Sequence, residues 1–175
     1  AWRRADRPRL YTNSENAIDW IAVHLADTAL PAQITAMKDK VRFRELLRDD
    51  DPDYRFVEVR REDLGGFDPS SVFTGPFVAK PAVGFFSLGV EIITRHDEWP
   101  AAAQRLQAAG DRFAGLYPDA VLELDRFVLE EVIDGDEFAV DAWYDDQGHV
   151  AIVNVYEHPF AHGADVSDRV YRSPP

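Results

Sequence analysis

A lysine and two glycines lie close together in FVAKPAVGFFSLGVEI, residues 77–92. An apolar run ends near Lys80, and a loop bounded by Gly84 and Gly89 follows, with Ser87 inside it. A lysine near a strand end can extend its charge over the space that a glycine-containing turn lines with N–H groups, which suits a phosphate chain. The lysine precedes the loop, unlike in a Walker motif, and no GxGxxG opens a helix. Taken alone, the stretch is better explained as a β-hairpin with a glycine turn and a solvated lysine.

A group of carboxylates lies in FVLEEVIDGDEF, residues 127–138. Glu130 and Glu131 end an apolar run, a turn follows at Asp134-Gly135, and Glu137 begins the next run. One interpretation places Glu130 and Glu137 at one cleft, from either side of the turn. There, one carboxylate can accept a hydrogen bond from an exocyclic amine and the other from sugar hydroxyls. In isolation the pattern favours exposed glutamates at a strand–turn junction.

The other polar groups carry weaker signals. Lys38 and Lys40 point to different faces of a predicted helix, and solvated side chains explain them in isolation. The tail holds four side chains of metal-ligating type: His158, His162, Asp165 and Asp168. Their spacing matches no known ligand pattern, so no metal site is predicted. Arg169 and Arg172 in the same loop are predicted anion contacts.

The composition predicts a soluble globular protein with an acidic surface. Of the 175 residues, 46% are hydrophobic and 29% are charged, and the net charge is −13. This charge argues against nucleic acid or anionic membranes as partners, because binding them requires cations. No apolar run is long enough to cross a bilayer and no secretory signal pattern is visible. The lack of cysteine excludes disulfides and thiolate chemistry, and we predict a cytoplasmic location.

Hydrophobic periodicity predicts both helices and strands. Helices are expected over residues 14–27, 36–48 and 98–116, with a connector at 29–34 broken by Pro31. Strands are expected over 55–59, 77–81, 89–93 and 127–133, followed by a hairpin with its turn at 145–148. Because the strands come in hairpin-like pairs, the pattern favours an α+β fold with antiparallel sheets over a doubly wound parallel sheet.

The order of these motifs resembles the ATP-grasp superfamily, in the branch of biotin carboxylases and carboxylate–amine ligases. The series runs MKDK, PFVAKP, the glycine-bounded loop, a helix, LEEVIDGDEF and a hairpin, from about Asn13 to Pro175. The resemblance implies two lobes with antiparallel or mixed sheets and flanking helices, the second lobe being incomplete. It divides the chain into the end of a preceding domain (1–30), a first lobe (31–135) and the start of a second lobe with its large loop (136–175).

The resemblance also implies roles for individual residues. Lys40 and Lys80 would approach the phosphates of ATP, and the loop from Gly84 to Gly89, with Phe86 and Ser87, would fold over them. Glu130 would lie beside the adenine amino group, the backbone of Glu131 and Ile133 would hold the adenine edge, and Glu137 would bind the ribose. Arg169 would help to hold the transferred phosphate and is the one catalytic residue expected. The loop departs from the family pattern, because GFFSLG carries two bulky phenylalanines.

The implied function is the ATP-binding part of a ligase that activates a small-molecule carboxylate as an acylphosphate for attack by an amine. Mg²⁺ would accompany ATP, with ligands expected beyond Pro175. Two alternatives are open: a nucleotide-binding or interaction module without catalysis, and a fragment of an enzyme like biotin carboxylase. Whether the chain acts as an enzyme is left open with them. A homo-oligomer and a second chain that completes the fold are both open as partners.

Overall fold

The computed structural model describes residues 12, 14, 16–85, 87–113, 115–119, 121–145, 147–160 and 170–173. A four-stranded antiparallel sheet, in the order β1-β4-β2-β3, is followed in the chain by a two-stranded sheet. The strands are β1 (Phe56–Arg60), β2 (Phe77–Val83), β3 (Glu91–Ile93), β4 (Glu123–Glu131), β5 (Phe138–Tyr144) and β6 (Val150–Glu157). The predicted α+β class with antiparallel sheets is confirmed.

Four α-helices accompany the sheets in the described residues: α1 (Asn16–His24), α2 (Leu30–Lys38), α3 (Lys40–Leu46) and α4 (Trp99–Phe113). The predicted connector at 29–34 is wrong, because α2 begins at Leu30 and contains Pro31 in its first turn. Proline is tolerated there, since the N–H groups of the first turn have no partner within the helix. None of these helices is long and apolar enough to cross a membrane.

The single helix predicted over residues 36–48 is also wrong, because the chain breaks at Asp39. Asp39 has extended backbone angles (φ −75°, ψ 109°), and its carboxylate accepts hydrogen bonds from the backbone N–H groups of Val41 and Arg42. An aspartate in this role satisfies N–H groups that a helix start leaves without partners. The break turns α3, which begins at Lys40, onto the sheet.

The pairing of the strands decides which face of the four-stranded sheet each side chain occupies. β4 is central and pairs with both neighbours, with Leu129 opposite Val57 of β1 and Ala79 of β2. Since successive side chains point to opposite faces, Ala79 and Leu129 pack in the core beneath α4, together with Leu106. Val128 points the other way and packs against Val41 of α3.

The same alternation corrects the prediction that Lys80 lies near the end of its strand. β2 continues to Val83, so Lys80 is in its middle, opposite Val128 of β4. Lys80 and Glu130 therefore share the sheet face that α3 covers. Both charged groups are placed there by the register of two strands.

Candidate functional site

A cavity of about 1000 Å³ lies between the loop after β2 and the connection from β4 to β5. Six of the predicted site residues line it: Lys40, Lys80, Gly84, Ser87, Ile133 and Glu137. Val78 and Ile92 supply apolar wall beside these polar groups. A cleft that combines apolar walls with a few convergent polar groups is typical of small-molecule sites.

Lys80 forms an ion pair with Glu130 in the wall of this cavity. The Glu130 carboxylate is only 4% exposed, and it also accepts a hydrogen bond from Arg44 Nε of α3 at 2.7 Å. Burial opposes ionisation of Glu130, but the hydrogen bond from Arg44 and the charge of Lys80 outweigh it and hold its pKa below the usual value. Glu130 is thus an anion held between two cations.

This arrangement corrects the expectation that Glu130 and Glu137 face one cleft. Glu137 lines the cavity, whereas Glu130 does not and is covered by its two cationic partners. Glu130 points to the face of the sheet that α3 covers, while Glu137 follows the turn and lies directly before β5.

Lys40, at the first turn of α3, is the second cation of the cavity. Its Nζ donates a hydrogen bond to the carbonyl oxygen of Gly84 at 3.4 Å. Burial, followed by the charges of Lys80 and Lys38, lowers the pKa of Lys40 to about 8, although Glu130 and Asp39 act in the opposite direction. An anion that entered the cavity would be met by two lysines whose mutual repulsion it relieves.

The loop after β2 includes one glycine that no other residue replaces easily. Gly89 has φ +68°, and a Cβ atom there would lie 3.1 Å from Cγ of Pro81, so both conformation and space require glycine. Gly84 lacks such a φ, and a Cβ would meet only ordinary contacts. Gly89 does not line the cavity. Its role is therefore structural, because it lets the backbone of the loop turn back to β3.

Phe85 lines the cavity and also fixes the same loop. Its ring packs edge-to-face on Tyr117, with centroids 5.1 Å apart, in the segment between α4 and β4. Aromatic pairs of this geometry are favourable beyond the area they bury. The bulk of Phe85 therefore ties the loop to the body of the domain, whereas the predicted contact of Phe86 lies outside the described residues.

The backbone of Glu131 makes two polar contacts. Its N–H donates to the carbonyl oxygen of Arg55 at 3.0 Å, and its own carbonyl accepts from the hydroxyl of Tyr54 at 3.1 Å. Glu131 does not line the cavity, while Ile133, two residues later, does and is exposed. A carbonyl oxygen accepts two hydrogen bonds, so the contact with Tyr54 leaves Glu131 able to accept another.

Glu137 is held by a histidine from the end of β6. The Nδ1 atom of His158 lies 2.7 Å from Oε1 of Glu137, and the backbone N–H of His158 donates to the carbonyl oxygen of Glu137 at 2.8 Å. The Glu137 side chain stays 58% exposed, whereas His158 is 6% exposed. The carboxylate of Glu137 therefore faces the cavity while the largely buried ring of His158 holds it.

A family model described as an ATP-grasp domain matches residues 73–175, which is more than half of the chain. The chain belongs to the ATP-grasp family. A search of curated proteins gave no match. The predicted resemblance to the ATP-grasp superfamily is confirmed.

Solved structures with this fold agree with the family match. An L-amino acid ligase from Bacillus licheniformis is 20% identical, with a TM-score of 0.54 over 80% of this chain and 28% of that chain. The VanG D-Ala:D-Ser ligase from Enterococcus faecalis is 19% identical, with a TM-score of 0.55 over 76% of this chain and 35% of that chain. The chain spans about a third of the length of these two structures, and at such identity the likeness shows the fold alone.

Three residues of this ATP-grasp chain support the site without having been predicted in it: Asp39, Arg44 and Tyr54. Asp39 caps the helix that carries Lys40, Arg44 holds Glu130, and Tyr54 contacts the Glu131 carbonyl. Arg44 also lies over the ring of Tyr54, 4.5 Å from its centroid. Only Asp39 had a local signal, because aspartate is favoured just before a helix. The predicted catalytic residue Arg169 lies outside the described residues.

Proposed function

We propose that this chain is the ATP-binding portion of an ATP-grasp ligase that joins a carboxylate to an amine. The observation that carries the proposal is the meeting of Lys40, Lys80 and Glu137 at one cavity of about 1000 Å³. Two cations suit a polyphosphate, and a carboxylate at the far side suits sugar hydroxyls. The names of the two solved structures, an L-amino acid ligase and a D-Ala:D-Ser ligase, support a carboxylate of the amino-acid type.

The proposed reaction has two steps. A carboxylate oxygen attacks the terminal phosphorus of ATP, the bond to the bridging oxygen breaks, and ADP leaves. The amine nitrogen then attacks the acyl carbon, phosphate leaves with the electrons of the C–O bond, and the nitrogen loses a proton. Phosphoryl transfer needs positioning and charge neutralisation more than covalent help, and this is what Lys40 and Lys80 offer at the phosphates. Arg169 is proposed to hold the transferred phosphate.

Mg²⁺ is proposed to accompany ATP. No three His, Asp or Glu side chains of the described residues gather in a way that would hold a metal ion. We propose that its ligands lie outside the described residues. The adenine is proposed to lie near Ile133, with its edge on the backbone of Glu131 and Ile133.

The division into lobes also remains a proposal. The four-stranded sheet falls within residues 31–135 and the two-stranded sheet within 136–175, which supports a boundary in the connection that lines the cavity. Residues 1–30 are proposed to end a preceding domain. A cytoplasmic location and the open choice between self-association and a completing partner chain stay predictions.

The proposal predicts that Lys80→Met weakens ATP binding about tenfold, or about 1.4 kcal/mol. Methionine keeps the apolar stem, and Glu130 keeps its hydrogen bond from Arg44, so the fold should persist. Titration calorimetry measures the dissociation constant. Lys38→Met is the matched control, because Lys38 does not line the cavity; at pH 6.5, where Lys40 is protonated with or without the charge of Lys38, its removal should leave ATP affinity nearly unchanged. Equal affinity of Lys80→Met and the unaltered chain would place the nucleotide elsewhere.

A second prediction concerns protons. Since burial and neighbouring lysines hold the pKa of Lys40 at about 8, about half of the molecules carry a neutral Lys40 at pH 8. A bound triphosphate would raise this pKa, so binding at pH 8 should take up about half a proton, and at pH 6.5 almost none from this lysine. Calorimetry at pH 8 in two buffers of different ionisation enthalpy gives the number directly. Lys40→Met should abolish the uptake, and an unchanged value in that variant would assign it to another group.

A further inference from the structure

His158 is largely buried beside the carboxylate that Glu137 presents to the cavity, and its ring forms part of the cavity wall. Its Nδ1 atom is 2.7 Å from Oε1 of Glu137, and its backbone N–H fixes the carbonyl of the same residue at 2.8 Å. A partly exposed glutamate ordinarily samples several rotamers, and ordering it costs conformational entropy on binding. A buried hydrogen-bond partner removes that cost before a ligand arrives.

The ring of His158 is itself held in place by the tail. Tyr171 stacks on it with centroids 4.7 Å apart and an interplanar angle of 17°, and Phe160 packs at 4.4 Å. Tyr171 is positioned by the next residue, because Arg172 exchanges backbone hydrogen bonds of 2.8 and 2.9 Å with Glu157. Arg172 Nη2 also lies 2.6 Å from Oε1 of Glu157. The tail therefore returns across the end of β6 and fixes the direction in which Nδ1 points.

The contact with His158 has a consequence for what Glu137 can bind. One carboxylate oxygen faces the histidine, and an ionised carboxylate has about four lone-pair sites. A single hydrogen bond from His158 leaves sites on both oxygens for neighbouring hydroxyl donors in the cavity. Two adjacent hydroxyls, as in an unmodified ribose, match a carboxylate that is held in one orientation.

We propose that His158 is a positioning residue that orients Glu137 toward the vicinal hydroxyls of the nucleotide sugar, and that it thereby makes the site select ribonucleotides over deoxynucleotides. This inference rests on the proposed ATP site. His158 does not touch the nucleotide in this role; it acts through Glu137. A site built to pair with hydroxyl groups discriminates against analogues that lack them, because its polar groups are then left unpaired.

The test compares ATP with 2′,3′-dideoxy-ATP by titration calorimetry on the unaltered chain and two variants. His158→Phe keeps a ring to stack on Tyr171 but lacks a donor. His158→Asn places an amide donor near the position of Nδ1. We expect the unaltered chain to bind ATP about tenfold more tightly than the dideoxy analogue. His158→Phe should bind ATP about fivefold more weakly with the analogue unaffected, and His158→Asn should recover most of the loss.

The outcomes separate this inference from the proposed function. If the folded, unaltered chain binds neither nucleotide, both proposals are overturned. If it binds ATP and the analogue equally, the ATP site stands and the role of Glu137 and His158 in sugar recognition is overturned. If His158→Phe weakens both nucleotides by the same factor, or His158→Asn fails to recover ATP affinity while remaining folded, His158 only supports the fold and the inference is wrong.

Discussion

Asp39→Ala is expected to lower the free energy of unfolding by about 3 kcal/mol. The Asp39 side chain is 3% exposed and performs two tasks at once. It accepts hydrogen bonds from the N–H groups of Val41 and Arg42 at 3.0 and 3.2 Å, which is worth about 1 kcal/mol at a helix start. It also pairs with Arg126 Nη2 at 2.7 Å, and removing one member of a buried pair is costly.

Chemical denaturation with urea measures this loss, and Asp39→Asn separates its two parts. Asparagine keeps the helix cap and removes the charge, so it should cost about 1 kcal/mol less than alanine. Arg126 keeps its contacts with Glu123 at 2.8 Å and Glu58 at 3.2 Å in both variants, which limits the damage to the Asp39 side. A loss below about 0.5 kcal/mol for alanine would mean that α3 does not depend on its cap.

The dependence on pH gives the same prediction a second measurement. Burial opposes ionisation of Asp39, yet the hydrogen bonds from Arg126 and the backbone hold its pKa below the ordinary value of 3.8. A carboxyl group whose pKa is lowered by folding stabilises the protein above its unfolded value, and the contribution is lost as pH falls through the folded value. The difference in stability between the unaltered chain and Asp39→Asn should therefore shrink below about pH 4.

The cap at Asp39 also matters for the proposed ATP site, because the next residue is Lys40. α3 starts at Lys40, so the cap at Asp39 sets the direction of the helix that brings Lys40 to the cavity and Arg44 to Glu130. A loosened α3 should weaken ATP binding together with stability. The three residues lie within six positions of the sequence, but their common effect depends on the break that Asp39 introduces.

The order of the motifs predicted the fold class and the family of this chain, but it did not predict which side chains pair. The α+β class and the family followed from local patterns that keep their order, such as PFVAKP before a glycine-bounded loop. The pairing of Lys80 with Glu130 did not follow, because it depends on the register between β2 and β4, which places Lys80 opposite Val128 and Val78 opposite Glu130. Sequence spacing across 50 residues carries no such register, since a slip of one residue would turn either side chain to the opposite face.

The contact between His158 and Glu137 could not be predicted from the sequence for a related reason. In the sequence, His158 falls in a tail without hydrophobic periodicity, whereas its partner, Glu137, lies just before β5, the opposite strand of the hairpin. The register of β5 and β6, with Phe138 opposite Glu157, brings the two together. The connector predicted at 29–34 was wrong for another reason, because proline is tolerated in the first turn of a helix and Pro31 lies in the first turn of α2.

Glu130→Gln is expected to destabilise the fold and at the same time to strengthen the binding of a bare polyphosphate. The substitution preserves size but leaves Arg44 and Lys80 facing each other without the anion between them. Their side chains are 21% and 24% exposed, so solvent screens part of the repulsion, and we expect a loss of about 2 kcal/mol in the free energy of unfolding. The pKa of Lys40 should fall further in this variant, because the charge of Glu130 is one of the factors that raise it.

The same change frees Lys80 for an anion in the cavity. Glu130 now competes for this lysine, and its removal adds about one positive charge to the cavity, so inorganic tripolyphosphate should bind about fivefold more tightly to Glu130→Gln. ATP should gain in the same direction, because its phosphates are proposed to meet Lys80. Calorimetry gives the dissociation constants of tripolyphosphate and ATP, and urea denaturation of the same samples gives the free energy of unfolding. Glu131→Gln is the matched control, since its carboxylate accepts from the Arg55 N–H and does not contact the lysines. Weaker tripolyphosphate binding in Glu130→Gln would show that Glu130 holds Lys80 in its binding position instead of restraining it.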